Sequence, residues 1–231
     1  MPGKLLFRPK LILLDVYGTL LDMGDVQRRI NYLLNSKRAY LLWMELLMQY
    51  IFLDNCTERF HDFRSIAAST LRMTTRALNA DLSPDQVNEI LEMLTHLPLK
   101  DDVQKGLSLL NDLDMRVAAF TNSSEKIVKE RMIRTGLISY FEKVLSVEQI
   151  KKYKPALQAY TWAADLMHVD PKNSLLVSSH AWDIAGADNA GMYTAYIENS
   201  QMFYPLAPEP GLTCKNLVDL AEQLSLIQAG H

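Results

Sequence analysis

A run of large apolar residues that ends in one aspartate constrains the fold of this chain more than any other feature. Residues 11–14 read Leu-Ile-Leu-Leu, Asp15 follows, and a Gly-Thr turn begins three residues later. A continuous apolar run bounded by a turn is typical of a strand buried on both faces. We therefore expect Asp15 to lie at the carboxyl end of this strand, where open α/β sheets bind their ligands.

Strand and helix patterns alternate through the second half of the chain. Four further strands are predicted at 116–121, 143–146, 175–179 and 193–198, with helical patterns between them. This alternation indicates βαβ units, so we expect an α/β fold with a Rossmann-like, mostly parallel sheet. The proline-rich segment 201–213 is predicted to be an irregular loop, and a last helix is expected from residue 215 to about residue 226.

The segment 24–97 contains helical patterns and no clear strand. Residues 83–86 read Ser-Pro-Asp-Gln, which predicts a capping box with proline at the first helical position. We interpret 24–97 as a helical cap inserted after the first strand, with residues 1–23 and 98–231 forming the core. Within the cap, residues 39–53 are apolar on almost all sides, which predicts burial either inside the fold or against a partner chain.

Composition excludes several classes of partner. The 231 residues carry 24 basic and 27 acidic side chains, a net charge of −3, so nothing favours nucleic acid or an anionic membrane. The apolar stretch 39–53 is shorter than the roughly 20 residues that span a bilayer. Cys56 and Cys214 match no metal-binding spacing and are interpreted as free thiols in a reducing compartment, which predicts a cytoplasmic protein.

Polar residues cluster where the predicted strands end. One such aspartate alone is most often a structural cap, but four clusters on one sheet edge indicate a site for a small anionic substrate, close to helix N-termini that bind anions. The clusters are Asp15 with Thr19, Thr121 with Asn122, Lys154, and Ser178 with Ser179, His180 and Asp183.

These clusters resemble the four motifs of the haloacid dehalogenase (HAD) superfamily. Its members include hydrolases with an aspartate nucleophile. Asp15 would be the nucleophile, Thr121-Asn122 the second motif, Lys154-Pro155 the third, and Asp183 would belong to the fourth. The helical insertion also lies where this superfamily carries its caps. The resemblance implies the HAD fold and an aspartyl-enzyme intermediate.

Within the superfamily, the motifs resemble the L-2-haloacid dehalogenases more than the phosphatases. Phosphatases carry a second aspartate where this chain has Tyr17, and a phenol with a pKa of about 10 cannot protonate a leaving alcohol at neutral pH. Residues 178–183 resemble the dehalogenase motif Ser-Ser-Asn-Ala-Trp-Asp. Tyr160 follows Lys154-Pro155 at the same spacing as in the dehalogenases. The resemblance therefore implies hydrolysis at carbon without a cofactor, and Mg²⁺ is expected only if the protein is a phosphatase.

The resemblance also implies roles for these residues in converting a short 2-halo carboxylic acid to a 2-hydroxy acid. Asp15 would attack the carbon, Lys154 would keep Asp15 ionised, and Asp183 or His180 would activate water. Backbone N–H groups near Val16 and Tyr17 could stabilise the oxyanion, and Thr121 would clamp the substrate carboxylate. The substrate-binding set is predicted to be Val16, Tyr17, Thr19, Thr121, Asn122, Tyr160, Ser178 and Trp182.

Simpler roles compete with some of these assignments. Thr19 is more often a turn-stabilising hydroxyl, Tyr160 is as readily a core residue, and His180 stands where the dehalogenases usually have asparagine. The cap arginine that accepts halide in those enzymes has no clear counterpart, since Asn35 falls near its position. Two other functions therefore stay open: a hydrolase of another small ester or phosphate, and a non-catalytic binding protein. A homodimer through the cap helix around Trp43 is a further hypothesis.

Overall fold

Parallel strands form the sheet of this protein, and six of them lie in the residues that the structure describes. The structure, a computed structural model, describes residues 8–199 and 203–229. The strands are β1 (Leu11–Asp15), β2 (Val117–Thr121), β3 (Lys143–Ser146), β4 (Ser174–Ser178), β5 (Tyr193–Ile197) and β6 (Leu212–Cys214), in the order β3-β2-β1-β4-β5-β6. The predicted α/β fold with a parallel sheet is confirmed. β1 is central and buried along its whole length, so Asp15 lies in the middle of the sheet's carboxyl edge.

Nine helices are present in the described part of the chain. They are α1 (Gly24–Leu33), α2 (Ala39–Cys56), α3 (Phe63–Ala77), α4 (Pro84–Thr95), α5 (Val103–Asp112), α6 (Glu125–Arg134), α7 (Leu157–Leu166), α8 (Ala181–Asn189) and α9 (Leu217–Ala229). We call α1–α4 the cap helices. α8 packs on α7, β4 and β5, and α5 packs on α9. None of the described helices is both long and apolar enough to cross a membrane.

The chain enters and leaves the cap helices at one point. Leu21 and Leu99 form an antiparallel bridge there, and the N–H of Asp22 donates to the carbonyl of Pro98 at 2.8 Å. The division into a cap at 24–97 and a core on either side remains a prediction, and this crossing is the feature that supports it. The Ser83 capping box of α4 is present, with both reciprocal hydrogen bonds.

Helix α2 is apolar on two faces for two different reasons. Trp43 is fully buried and its indole N–H donates to the carbonyl of Ala67 in α3 at 3.1 Å, so this face belongs to the core of the cap. A neighbouring face, which includes Met44 and Met48, lines the cavity described below. The first of the two burial alternatives, burial inside the fold, therefore accounts for most of the helix.

The sequence interpretation missed the sixth strand. Residues 212–214 fall mainly in the segment expected to be an irregular loop, yet they pair in parallel with β5. Leu212 and Cys214 point inward and Thr213 is exposed. Three alternating residues after a proline-rich segment are too few to give a period that can be recognised in the sequence.

Candidate active site

A buried lysine holds together Asp15, at the end of β1, and Asp183, in the first turn of α8. The Nζ atom of Lys154 lies 2.8 Å from Oδ1 of Asp15 and 2.8 Å from Oδ2 of Asp183, and it donates to the carbonyl of Phe120 at 3.3 Å. The Lys154 side chain is fully buried. The three buried groups have little access to water, so the ammonium of Lys154 takes the place of solvent for both carboxylates. Removing any one of the three charges would leave the others without compensation.

This arrangement keeps the candidate nucleophile ionised. Burial alone would raise the pKa of the Asp15 carboxyl, but the charges of Lys154 and His180 and hydrogen bonds from Lys154 and Thr19 bring it below its ordinary value. Burial alone would lower the pKa of the Lys154 ammonium, but Asp15 and Asp183 raise it above its ordinary value. Both groups are therefore charged at neutral pH, as a carboxylate nucleophile requires.

Asp183 is fully occupied by its neighbours. Its Oδ2 accepts from Lys154, and its Oδ1 accepts from the hydroxyl of Tyr160 at 2.6 Å. Burial and Asp183 raise the pKa of Tyr160 well above its ordinary value, so its hydroxyl stays a donor. Tyr160, predicted to bind substrate, is fully buried and does not reach the cavity. Its place in the structure is that of a support for Asp183.

Two asparagines hold the loop that carries Lys154. The Oδ1 of Asn122 accepts from the Lys154 N–H at 2.8 Å, and its Nδ2 donates to the Lys154 carbonyl at 3.2 Å. Asn55, at the end of α2, binds the N–H and carbonyl of Tyr153 in the same way at 3.0 and 2.9 Å. Asn122, predicted to bind substrate, lines the cavity, but its amide is used to position Lys154.

The turn after β1 ties Asp15 to the fourth strand. The Thr19 hydroxyl donates to Oδ2 of Asp15 at 2.7 Å and accepts from the Ser179 N–H at 3.0 Å. The Ser179 hydroxyl donates to the carbonyl of Gly18 at 2.9 Å. Gly18 has a φ of +78°, and a Cβ there would lie 3.1 Å from the His180 ring, so the turn needs glycine on both counts.

His180 lies beside the nucleophile. Its Nε2 is 2.9 Å from the carbonyl of Tyr17 and 3.7 Å from Oδ2 of Asp15. Because a carbonyl oxygen only accepts hydrogen bonds, Nε2 carries a proton in this geometry. The ring stacks on Trp182, with centroids 5.2 Å apart and planes 13° apart. Sequence alone left the place of His180 open, and the structure puts its ring in the cavity wall.

Tyr17 connects the core to the cap instead of serving as an acid. Its hydroxyl lies 3.3 Å from the carbonyl of Leu94 in α4 and 3.3 Å from the Ser123 hydroxyl. Burial raises the pKa of the phenol above its ordinary value. Tyr17 is thus a still poorer proton donor than a free tyrosine.

A cavity of about 650 Å³ lies between these residues and the cap helices. Six of the predicted site residues line it: Asp15, Tyr17, Thr121, Asn122, His180 and Trp182. The other six do not: Val16, Thr19, Lys154, Tyr160, Ser178 and Asp183. Val16 and Ser178 are fully buried; the Val16 carbonyl accepts hydrogen bonds within the turn, and the Ser178 hydroxyl accepts from the His180 N–H.

Sequence reasoning missed a cation in the cavity wall. Lys100 lies just after the crossing at Leu99 and lines the cavity, whereas no arginine does among the described residues. Burial lowers the pKa of Lys100, and the carboxylates of Asp102, Asp22 and Asp15 act against that shift. Lys100 could have been recognised from its position, two residues after residue 98, where the chain is predicted to return from the cap to the core.

Arg29 and Arg38 are the arginines nearest in sequence to the position of the dehalogenases' halide arginine, and neither lines the cavity. Arg29 makes a two-pronged pair with Glu89 at 2.8 Å, and Arg38 is exposed at the start of α2. Among the described residues, no cluster of three His, Cys, Asp or Glu side chains could hold a metal ion. The donors that meet Asp15 are an ammonium, a hydroxyl and an imidazole, which suit an anion instead of a cation.

Comparison with known proteins shows the family and the fold of this chain. A family model described as haloacid dehalogenase-like hydrolase matches residues 9–191. The chain is 28% identical to an (S)-2-haloacid dehalogenase of Pseudomonas sp. (strain YL), covering 82% of each protein. It is 25% identical to an (S)-2-haloacid dehalogenase of Pseudomonas fluorescens, over 91% of this chain and 94% of that one. The structure of L-2-haloacid dehalogenase from Xanthobacter autotrophicus has the same fold, with a TM-score of 0.83 at 23% identity over 94% and 98% of the chains.

Proposed function

Because the chain belongs to the haloacid dehalogenase-like hydrolase family, we propose that it hydrolyses 2-halo carboxylic acids with Asp15 as the nucleophile. The observation that carries this proposal is the Lys154 bridge between Asp15 and Asp183 beside a tyrosine at position 17. The nucleophile is charged and aimed at the cavity, while the acid that phosphate esters need is absent. The curated relatives named (S)-2-haloacid dehalogenases support the same substrate class.

The first step is a displacement at carbon. The carboxylate of Asp15 attacks C2 of the acid, the carbon–halogen bond breaks, and halide leaves with the bonding electrons. Halide leaves without a proton, so this step needs no general acid at the position of Tyr17. Thr121, at the end of β2, and backbone N–H groups of the neighbouring turns would hold the substrate carboxylate in line.

The second step is hydrolysis of the aspartyl ester. Water attacks the carbonyl carbon of Asp15 and releases the 2-hydroxy acid, a proton and the free carboxylate. We assign the base to His180, because its ring borders the cavity, whereas Asp183 is fully buried with both oxygens engaged. His180 must first turn Nε2 away from the Tyr17 carbonyl or use its other ring nitrogen.

The cellular setting of this activity is also part of the proposal. We propose a cytoplasmic enzyme that acts without a cofactor on a small anionic substrate. The division into core and cap at 24–97 belongs to it as well. A homodimer through α2 is proposed from Leu53, an exposed apolar side chain of that helix that does not line the cavity. A monomeric mass by light scattering at micromolar concentration would contradict the dimer.

One assay tests the proposed function directly. The protein is incubated with L-2-chloropropionate in EDTA, and separately with p-nitrophenyl phosphate with and without Mg²⁺, beside an Asp15→Asn control. We expect chloride release that EDTA does not affect and that the control lacks. Phosphate release that depends on Mg²⁺ would instead support a phosphatase. If no substrate reacts, a binding protein becomes the better interpretation.

A further inference from the structure

The cavity is much larger than a short 2-halo acid requires. It encloses about 650 Å³, within the range of about 300–1,000 Å³ that holds drug-sized ligands in other proteins. A chloropropionate placed on Asp15 and Thr121 would fill only the core end. The remaining space lies under the cap helices.

The two ends of the cavity differ in chemistry. The core end carries the polar groups of Asp15, Thr121, Asn122, Ser179 and His180. Asp22 and Lys100 lie where the chain enters and leaves the cap helices, and α1 and α2 also bring Gln27, Tyr40 and Glu45 to the cavity. The rest of the cap end consists of large apolar side chains from three helices: Trp43, Met44, Leu47, Met48 and Ile51 of α2, Phe63 of α3 and Leu94 of α4. We call these apolar side chains the apolar roof.

The apolar roof is suited to a flexible apolar chain. Trp43, Leu47 and Ile51 are almost fully buried in the cap, so they give the roof a rigid backing, and Met44 and Met48 supply accessible apolar surface. Met44 and Met48 are partly buried, and unbranched thioether side chains adapt to ligands of different length. Binding of a hydrocarbon chain to such a surface is favourable, because apolar area on both sides is removed from water.

We propose that this enzyme prefers 2-halo carboxylic acids with a longer or bulkier apolar side chain, the carboxylate held at the core end and the chain lying along α2. This inference rests on the proposed function and names its substrate class. Each methylene that the roof covers is expected to raise kcat/KM about three- to fourfold until the chain outgrows the cavity.

A chain-length series tests the proposal. Chloride release is measured for the 2-chloro derivatives of propionate, butyrate, hexanoate and octanoate, in EDTA. We expect kcat/KM to rise from propionate to at least hexanoate. If kcat/KM falls along the series while propionate reacts well, the proposal is wrong and the proposed function stands.

A pair of variants on α2 locates the chain. Met44→Trp narrows the roof and is expected to lower the hexanoate-to-propionate ratio of kcat/KM at least tenfold. Gln49→Trp is the matched control, since Gln49 lies on the same helix, is exposed and does not line the cavity; its ratio is expected to stay that of the wild type. An unchanged ratio in Met44→Trp would overturn the placement.

A binding measurement keeps the two hypotheses separate. Acetate, hexanoate and octanoate are titrated into Asp15→Asn, and tryptophan fluorescence is followed, because Trp43 and Trp182 both line the cavity. Affinity that grows with chain length supports the roof even if no chloro acid is hydrolysed. Equal affinity for the three acids counts against it.

Discussion

Lys154 decides both the stability and the chemistry of the site. Lys154→Met leaves two buried carboxylates without a cation, so we expect a loss of about 3–5 kcal/mol in the free energy of unfolding. Turnover should disappear, since Asp15 and Asp183 would then repel each other and take up a proton. Urea unfolding and chloride release measure the two effects.

Lys152→Met is the matched control for that variant. Lys152 is two residues away and pairs at 2.8 Å with Glu58, whose side chain is 79% exposed. The Lys152 side chain is 20% exposed, but its partner carboxylate is open to solvent, so the pair is screened and contributes about 0–1 kcal/mol. Stability and turnover should therefore barely change. A large loss in the control, or a small one in Lys154→Met, would contradict the argument.

The ion pair between Asp15 and Lys154 predicts how stability depends on pH. The pKa of Asp15 is lowered by folding, so its contribution is present above the unfolded value of about 3.9 and is lost as pH falls through the folded pKa. The pKa of Lys154 is raised, so its contribution is present below about 10.4 and is lost as pH rises through the folded pKa. The difference in unfolding free energy between wild type and Lys154→Met should therefore be largest between these limits. Urea midpoints from pH 3 to 11 check this.

His180 and Asp183 are predicted to affect different steps. His180→Gln should still form the aspartyl ester but hydrolyse it slowly, so chloride appears in a burst and the ester accumulates. Asp183→Asn should lose both steps, because Lys154 then lacks one of its two carboxylates. Rapid-quench chloride measurement and intact-protein mass distinguish these results. An ester that accumulates in Asp183→Asn and not in His180→Gln would reverse the assignment of the base.

At the scale of secondary-structure elements, Gly186 lets α8 approach the residues that support Asp183. A Cβ at this position would lie 2.5 Å from the Tyr160 hydroxyl and 2.7 Å from Cβ of Pro155. Gly186→Ala should therefore push Tyr160 away from Asp183. We expect a loss of about 1–3 kcal/mol in stability from overpacking, together with a clear fall in kcat.

Tyr160→Phe separates the clash from its catalytic effect. It removes the hydroxyl bond to Asp183 without adding volume. If Gly186→Ala acts on kcat through Tyr160, the two changes combined should lower kcat by less than the product of their single effects. Multiplicative effects on kcat in the double variant would argue against this coupling.

At the scale of the whole molecule, the cap is fastened to the loop that carries the catalytic lysine. Asn55 holds both backbone groups of Tyr153, and the Tyr153 hydroxyl donates to the carbonyl of His61 at 2.7 Å. Phe60 stacks on Tyr153 with centroids 5.1 Å apart. The end of α2, Tyr153 and Lys154 thus form one connected unit, so cap position and nucleophile geometry are linked.

Asn55→Ala tests this connection. Two buried backbone groups lose their partners, which should cost about 1–3 kcal/mol in stability, and kcat/KM should fall because Lys154 is less well placed. Gln49→Ala, at an exposed position of the same helix, is the control and should leave both quantities unchanged. If stability falls and kcat/KM is unaltered, the hydrogen bonds between Asn55 and Tyr153 support only the fold.

Much of this molecule follows from local patterns in the chain. Strands β1 to β5 were recognisable because apolar runs of this length between turns have few other structures available. The meeting of Asp15, Lys154 and Asp183 followed as well, since the carboxyl ends of parallel strands share one edge. Tyr17 excluded a phosphatase-type acid before any geometry was known.

Tertiary structure alone decided how the polar groups are used. Nothing local distinguishes Tyr160 as a support for Asp183 from a substrate contact, or places the Asn122 amide on the backbone of Lys154, because each depends on partners distant in the chain. The same holds for Lys100 and for the two apolar faces of α2, whose roles depend on what the cap covers. The sequence determined which chemistry was available, and packing between distant segments determined which groups face the substrate and which hold others in place.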